Sequence, residues 1–514
     1  MVRRNLSAAC QSLGPWFDPA HGSGVFLRAV LSATFAHKEV RDCLYGVDLD
    51  PMAAETTSFV LTSEDLRLHE DLAIAPWQRW HGFRRNLATG DALLIDTAHI
   101  HDPPTPDSVD RPSLSQPLGK RDPWRLESVF PEIAGKGFNR VIANPPYASL
   151  QPAPSVFHIP MLHPVTGGAV AADISPVFVE IATSVLTDTG ACTVVTPLSE
   201  ITSTRSPFPE LRQYLRSLPG SVEFMAFDRV PDALFGDDIK TRNAIIHVDK
   251  SGMSEVTVSP LYRWTSRTRS VAFASVPTVS VTSVPGVPVT LPKLGTEWER
   301  GLYLACNRHR RRIDSWIAKR KSLPLDQIER SAIDAPSDVI AVAPTAYNFL
   351  GVTRDPYRAV TDGHDSQNPL SILGFKSEAQ ASAAYAVLCS RLAFWLWHVT
   401  GDGFHVTTAL TKLSPVPEAA GAVFENLVEL GDRLWKEALQ RPVVSMNRGR
   451  TTVSYPTSEY DDLLDDIDEQ MLGLVGASAE TSLRGWHEAL VVVDADSDRR
   501  NIIRRKSCDA SCNP

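Results

Sequence analysis

Residues 138 to 147 read Phe138-Asn139-Arg140-Val141-Ile142-Ala143-Asn144-Pro145-Pro146-Tyr147, an apolar strand-like run that ends in an amide side chain, two prolines and an aromatic ring. The prolines fix φ and restrict the residue before them, so Asn144 occupies a stiff turn whose carbonyls point in set directions. This arrangement suits one kind of chemistry. An amino group conjugated to a planar system is a poor nucleophile because its lone pair is delocalised. The Asn144 side-chain oxygen and the Pro145 carbonyl can each accept one of its protons, which raises the electron density on nitrogen and stabilises the positive charge that grows as the nitrogen is alkylated. Tyr147 offers a flat face for a planar substrate, and a π-face also favours a developing cation. No metal is needed. The competing reading is a rigid loop between a strand and a helix.

Three acids precede this segment, each at the end of a short apolar run. Trp16-Phe17-Asp18-Pro19-Ala20-His21-Gly22-Ser23-Gly24 reads as a strand, a glycine-rich turn and a helix start. Small residues there let the backbone approach a ligand, and Asp18 can bind an ammonium group. Tyr45-Gly46-Val47-Asp48-Leu49-Asp50-Pro51 follows, with Asp48 where doubly wound folds hold ribose hydroxyls. Asp50, directly before Pro51, is the better helix cap. Thr89-Gly90-Asp91-Ala92-Leu93-Leu94 places Asp91 at a third strand end, able to accept a hydrogen bond from a nucleoside's amino group. Taken singly, each acid reads as structural; in this order, ahead of Asn144, they read as a site.

The elements that must position them form an α/β pattern. Residues 15 to 250 alternate β-branched runs with helical periods, the signature of a doubly wound Rossmann-like domain. Strands are predicted at Tyr45–Asp48, Arg140–Ala143, Ala191–Thr196, Val222–Asp228 and Ala244–Val248. A helix is predicted at Ser175–Leu186, ended by Thr187-Asp188-Thr189-Gly190. Val271 to Pro292 is rich in Val, Ser, Thr and Pro with almost no charge, which suits a connector or edge strands. The division expected is therefore residues 1–250 as the catalytic domain, 251–292 as a connector, 293–420 as a mixed recognition domain, 421–475 as a helical segment and 476–514 as a partly disordered tail.

Beyond the connector, Thr296 to Lys321 reads as a basic helical stretch. Its Arg308, Arg310, Arg311 and Arg312, with Lys319, Arg320 and Lys321, are candidates for phosphate contacts, the alternative being a solvated helix. In Phe394-Trp395-Leu396-Trp397-His398 the aromatic residues read as core packing. Tyr460 to Leu474 has helical period and an acidic face of the kind that is usually solvated.

A net charge of −9 excludes a uniformly basic nucleic-acid binder, so phosphate contacts must come from local patches. The seven cysteines are scattered, unlike a disulfide framework, and Cys508 and Cys512 lack a second pair at zinc-site spacing. The basic start has no apolar run after it, and the most apolar stretch, Ala381 to Trp397, is broken by Arg391. A cytoplasmic protein with no membrane contact is expected.

The order Asp-Pro-Ala-x-Gly-Ser-Gly, Gly-Val-Asp-Leu-Asp-Pro, Gly-Asp-Ala-Leu and Asn-Pro-Pro-Tyr resembles the amino-methyltransferases of DNA, particularly the adenine methylases of large type II restriction-modification enzymes. The resemblance continues through Asp173-Ile174-Ser175-Pro176-Val177-Phe178, Val195-Thr196-Pro197 and Phe235 to Asn243, covering about the first 250 residues. It extends less specifically to Gly401-Asp402-Gly403-Phe404-His405 and to Pro442-Val443-Val444-Ser445, which looks like part of the helical end. It implies a class I fold using S-adenosylmethionine, with Asp18, Ala20, Gly22 and Gly24 on the methionine side, Asp48 at the ribose and Asp91 at the adenine. It implies that Asn144, Pro145, Pro146 and Tyr147 hold an adenine flipped from double-stranded DNA for methylation at N6.

The sequence departs from this pattern twice. His21 stands where the family commonly has cysteine, and only seventeen residues precede Asp18, without the family's upstream Thr-Pro pair. A 5′-truncated gene product, a misplaced start, or a partner subunit supplying that segment is expected. No Pro-Asp…Glu-x-Lys nuclease constellation is visible, so cleavage would fall to a separate nuclease. The alternatives are a truncated, catalytically weak DNA-binding subunit, or a methyltransferase of RNA or of a protein glutamine.

Overall fold

The computed structural model describes residues 14–34, 38–69, 74–98, 100–101, 123–148, 162–167, 173–235, 241–265, 276–286, 291–323, 338–354, 370–447, 450–477 and 482–490. The upstream segment, the tail beyond residue 490 and both terminal cysteines lie outside them. The chain divides into two compact units. One comprises Met1–Phe227, Thr241–Val258 and Ser280–Leu291; the other comprises Asp228–Lys240, Ser259–Val279 and Pro292–Pro514.

The first seven strands are β1 (Trp16–Asp18), β2 (Leu44–Asp48), β3 (Leu87–Thr89), β4 (Phe138–Ala143), β5 (Leu186–Pro197), β6 (Ser221–Phe227) and β7 (Asn243–Asp249). With β8 (Glu255–Tyr262) and β9 (Val279–Ser280), they form one sheet in the order β3-β2-β1-β4-β5-β7-β6-β8-β9. Strands β1 to β5 pair in parallel, and β7 runs antiparallel to both β5 and β6. Parallel strands must be covered on both faces, which explains why β1 is buried throughout. Successive side chains point to opposite faces. Accordingly Trp16 joins a core with Leu27, Val30, Leu61 and Phe83, while Phe17 stacks on Phe138 at 4.5 Å.

Helices α1 (Val25–Ala33), α2 (Pro51–Leu68) and α3 (Pro76–Arg84) flank the first strands. Asp50 caps α2 as the sequence predicts, its carboxylate accepting the Met52 N–H at 2.9 Å with Pro51 next in the chain. After α4 (Leu126–Val129), helix α5 spans Ser175–Ser184, and here the prediction fails at its end. Thr187 to Gly190 lie within β5, where pairing with β4 jumps from Phe138–Leu186 to Arg140–Ala191. The four residues bulge from the ladder, and a Cβ on Gly190 would sit 3.0 Å from the Phe138 carbonyl oxygen. The glycine marks a close backbone approach rather than a helix cap. Short α6 (Ser199–Thr202) and α7 (Phe208–Ser217) follow β5.

In the second unit, α8 covers only Glu297–Arg308, so the predicted helix to Lys321 is corrected. His309 turns extended, and Arg312 Nη2 bonds the Cys306 carbonyl at 2.9 Å to close the helix end. Lys319, Arg320 and Lys321 fall on strand β10 (Ile317–Leu323). With β11 (Val339–Val342), β12 (Val352–Thr353) and β13 (Leu370–Phe375) it makes an antiparallel sheet in the order β10-β13-β11-β12. Helices α9 (Glu378–Cys389) and α10 (Arg391–Thr400) are separated at Ser390, and among the described residues no helix is long and apolar enough to cross a membrane.

Trp395 and Trp397 are buried, as core packing requires. After α11 (Ala409–Leu413) and α12 (Ala422–Ala438), residues 443 to 447 form strand β14 (Val443–Asn447), paired with β15 (Arg450–Ser454), not the helical end expected there. Helix α13 (Asp461–Val475) corrects a second expectation. Its acidic face is solvated only in part: Asp462, Asp466 and Glu469 are exposed, whereas Asp461, Asp465 and Asp468 bond the buried Arg391 guanidinium.

Candidate active site

The strand order reverses between β1 and β4: the chain builds outward through β2 and β3, then crosses back to β4 and β5. In an open α/β sheet the crevice at the carboxyl ends of these strands is where ligands bind. Asp18 ends β1, Asp48 ends β2, Asp91 follows β3 and Asn144 follows β4. The four polar groups picked from sequence therefore stand along one edge, in the spatial order Asp91, Asp48, Asp18, Asn144.

The glycine turn is held from two sides. Asp48 accepts the Gly22 N–H at 2.8 Å and the Asp50 N–H at 2.9 Å, fixing its carboxylate against the turn. Asp18 is buried; its Oδ1 accepts the Ala20 N–H at 3.0 Å, and its Oδ2 has no hydrogen-bond partner among the described residues. Burial pushes the Asp18 carboxyl up to about 8, the Ala20 N–H opposes this, and the Asp48 charge adds to it. An unpaired buried carboxyl oxygen is the complement of a ligand ammonium group, so the cradle fits the methionine end of S-adenosylmethionine. Asp91 caps the turn Ala92–Leu94 through the Leu93 N–H at 3.0 Å, and burial raises its carboxyl.

Because the folded carboxyl of Asp18 holds its proton up to about 8 while the unfolded one loses it near 3.8, the ligand-free protein loses stability as pH rises across that window. Asp18→Asn keeps the bond to Ala20 and removes the ionisable group. It is expected to stabilise the ligand-free protein at pH 8 by about 1–2 kcal/mol while weakening cofactor binding about tenfold or more. Thermal melts at pH 5 and pH 8, with calorimetric titration of the cofactor, check both. Equal shifts at the two pH values would refute the ionisation argument.

His21, at the position where cysteine is common, is accommodated from below. Its Nδ1 lies 3.1 Å from Thr57 Oγ1 and 3.1 Å from the Gly22 carbonyl, and burial holds the imidazole below its usual range. A Cβ on Gly46 of β2 would stand 2.7 Å from His21 Cδ2, so the glycine there makes room for the larger ring. Gly24 caps α1 at φ 76°, and a Cβ would meet Thr57 Cγ2 at 2.6 Å. Gly24→Ala therefore combines left-handed strain with overpacking. A loss of about 2–3 kcal/mol, read from the denaturant midpoint, is expected.

On the other side of the switch point the tetrapeptide leaves β4 with Asn144 exposed, Pro145 buried and Tyr147 half-buried. The Tyr147 hydroxyl donates to Asn144 Oδ1 at 3.1 Å and accepts from Asn243 Nδ2 at 3.1 Å. The ring is thus pinned at its far end, and Asn144 Oδ1 keeps a second lone pair for a substrate proton. Burial raises the Tyr147 phenol, so it stays neutral. Asn243 was missed as a site residue in the sequence. It starts β7 opposite Pro197 of β5, and only that antiparallel pairing brings it to the carboxyl edge. Glu200, also missed, is fully buried on α6 just past β5, and burial pushes its carboxyl up to about 8.

The basic candidates are dispersed among several local roles. Arg308 and Arg310 are exposed, whereas Arg311 pairs with Glu418, Arg312 closes α8 and Arg320 bonds Asp314 at 2.7 Å. Lys319 is exposed on β10, and the side chain of Lys321 lies outside the described set.

Among β1 to β7 only β7 is reversed, and this strand order is that of a class I S-adenosylmethionine-dependent methyltransferase fold, with the polar edge at its switch point. Within it, residues 42–227 match the sequence model of the Eco57I restriction-modification methylase family. No curated protein matches the chain. Among solved structures, the Type IIL restriction-modification enzyme MmeI in complex with DNA aligns with a TM-score of 0.51 at 13% identity, covering 95% of this chain and 73% of that one. The ATP-dependent Type ISP restriction-modification enzyme LlaBIII bound to DNA aligns with a TM-score of 0.46 at 10% identity, covering 96% of this chain and 46% of that one. The chain thus spans about half the length of LlaBIII.

Proposed function

We propose that this chain is a site-specific DNA methyltransferase of a restriction-modification or phage-defence system, acting in the cytoplasm on N6 of adenine in double-stranded DNA. The observation that carries the reading is the Asn144–Tyr147 turn, fixed at the switch point beside the unpaired carboxyl oxygen of Asp18. Asp18 binds the cofactor's ammonium, the Ala20 to Gly24 turn its methionine backbone, Asp48 its ribose and Asp91 its adenine amino group. When bound, S-adenosylmethionine supplies an electrophilic methyl group.

The protein's part is positioning and electrostatics. The target adenine is extruded from the duplex and stacks on Tyr147. Asn144 Oδ1 and the Pro145 carbonyl accept hydrogen bonds from its two amino protons, Pro146 keeps the turn stiff, and the acceptors stabilise charge as the N–C bond forms and the methyl–sulfur bond breaks, one amino proton then leaving to solvent. Arg308, Arg310, Arg311, Arg312, Lys319, Arg320 and Lys321 contribute phosphate contacts from the second unit. A separate nuclease completes the system, and the match of residues 42–227 to a restriction-modification methylase family supports a place in such a system.

Methyl-labelled S-adenosylmethionine incubated with duplex DNA, RNA and protein extract in turn tests the proposal. Label is expected in duplex DNA as N6-methyladenine at one recognition sequence, located by methylated-base sequencing. Label only in RNA or in protein glutamine would replace the substrate, and DNA binding without label would make the chain a catalytically silent subunit.

A further inference from the structure

We propose that Glu200 is a positioning residue for the amino-group chemistry, acting through Ser175 and the backbone of Ile174 on the tetrapeptide segment; this rests on the function proposed above. Glu200 Oε1 accepts the Ser175 hydroxyl at 2.6 Å, while Oε2 is buried and has no hydrogen-bond partner among the described residues. Asp173 Oδ1 accepts the Ser175 N–H at 3.2 Å and lies 3.1 Å from the same hydroxyl. Between them, the Ile174 N–H donates to the Ala148 carbonyl at 3.0 Å, and Ala148 directly follows Tyr147. A continuous path thus runs from Glu200 through Ser175 and Ile174 to the loop that carries Asn144.

A buried carboxyl oxygen without a partner is an exception that calls for a specific role. The charged or titratable groups around Glu200 are Asp173, which disfavours its ionisation, the Arg212 guanidinium, which favours it, and the Tyr147 phenol, which feels its charge. Arg212 spends its Nη1 on the Glu200 main-chain carbonyl at 2.8 Å and its Nη2 on the Ser203 carbonyl at 2.8 Å. Burial thus favours the neutral form of the Glu200 carboxyl, pushing it up to about 8, and the Asp173 charge acts in the same direction. Ionisation above about 8 places a second charge against Asp173, repels it, and loosens the Ile174–Ala148 bond that seats the loop.

The test compares wild type, Glu200→Gln and Glu200→Ala across pH 7 to 9, reading kcat, KM and backbone amide exchange over residues 144–148 and 174–176. Wild type should lose about tenfold in kcat at pH 9 with KM little changed, while Glu200→Gln, which holds the neutral shape, should stay flat. Glu200→Ala should lose about 10- to 100-fold in kcat at every pH. In exchange, corrected for intrinsic rates, Ile174 protection should fall with pH in wild type and hold in Glu200→Gln. The same pH profile in wild type and Glu200→Gln, in rate or in exchange, would overturn the assignment. If wild type transfers no methyl group to DNA, the proposed function fails and the exchange profiles alone decide the role of Glu200.

Discussion

Asn144→Ala is expected to lower methyl transfer about 100- to 1,000-fold, a loss of about 3–4 kcal/mol of transition-state stabilisation, with cofactor binding intact. The substitution removes one of the two acceptors aimed at the amino group and leaves the Pro145 carbonyl in place. It also frees the Tyr147 hydroxyl, which loses its 3.1 Å acceptor yet keeps the Asn243 donor, so the ring should stay seated. Because Asn144 is exposed, its truncation opens no cavity and the fold should be unaffected. The charge on the attacking nitrogen grows only as the bond forms, so the effect belongs in kcat rather than KM. Calorimetric titration with S-adenosylmethionine and single-turnover transfer on duplex DNA separate the two. Wild-type kcat in the variant would remove the tetrapeptide from the mechanism.

Arg391→Ala is expected to destabilise the second unit by about 3–5 kcal/mol. The Arg391 side chain is 3% exposed and its guanidinium bonds Asp465 at 2.8 Å, Asp468 at 3.0 Å and Asp461 at 2.5 Å. Asp468 has a second task, accepting the backbone N–H groups of Arg391 and Leu392 at the start of α10. Arg484 still pairs Asp461 at 3.2 Å and Asp465 at 2.9 Å, but removing Arg391 leaves the buried Asp468 carboxylate without its cation, and that uncompensated charge costs more than the ion pair itself contributes. Adding Asp468→Asn to the variant should recover part of the loss, because the amide oxygen can still cap α10. Chemical denaturation of the two variants and wild type measures this. An Arg391→Ala midpoint equal to wild type would show the cluster to be energetically idle.

Much of this molecule was legible without coordinates, for a reason that also marks the boundary. Strand period, the stiffness of Asn-Pro-Pro-Tyr, the glycine turn and the Asp50-Pro51 cap are all short-range properties, set by sterics within a few residues. They located β2, β4, β5, β6 and β7 and each of the strand-end acids. Where local rules misled, a non-local contact had won. Gly190 answers to the Phe138 carbonyl across the ladder, and Asp461, Asp465 and Asp468 of α13 answer to Arg391 of α10.

The sequence by itself determined which residues could do amino-group chemistry and in what chain order they come. Tertiary structure alone decided that β1 lies between β2 and β4, which sets Asp18 beside Asn144, and that β7 returns against β5, which brings Asn243 to Tyr147. It alone gave Glu200, an ordinary acid in the sequence, a buried oxygen with no hydrogen-bond partner among the described residues. Strand order and burial depend on pairings between distant segments, whose free energy belongs to the whole packed chain and leaves no periodic trace in any one stretch of it.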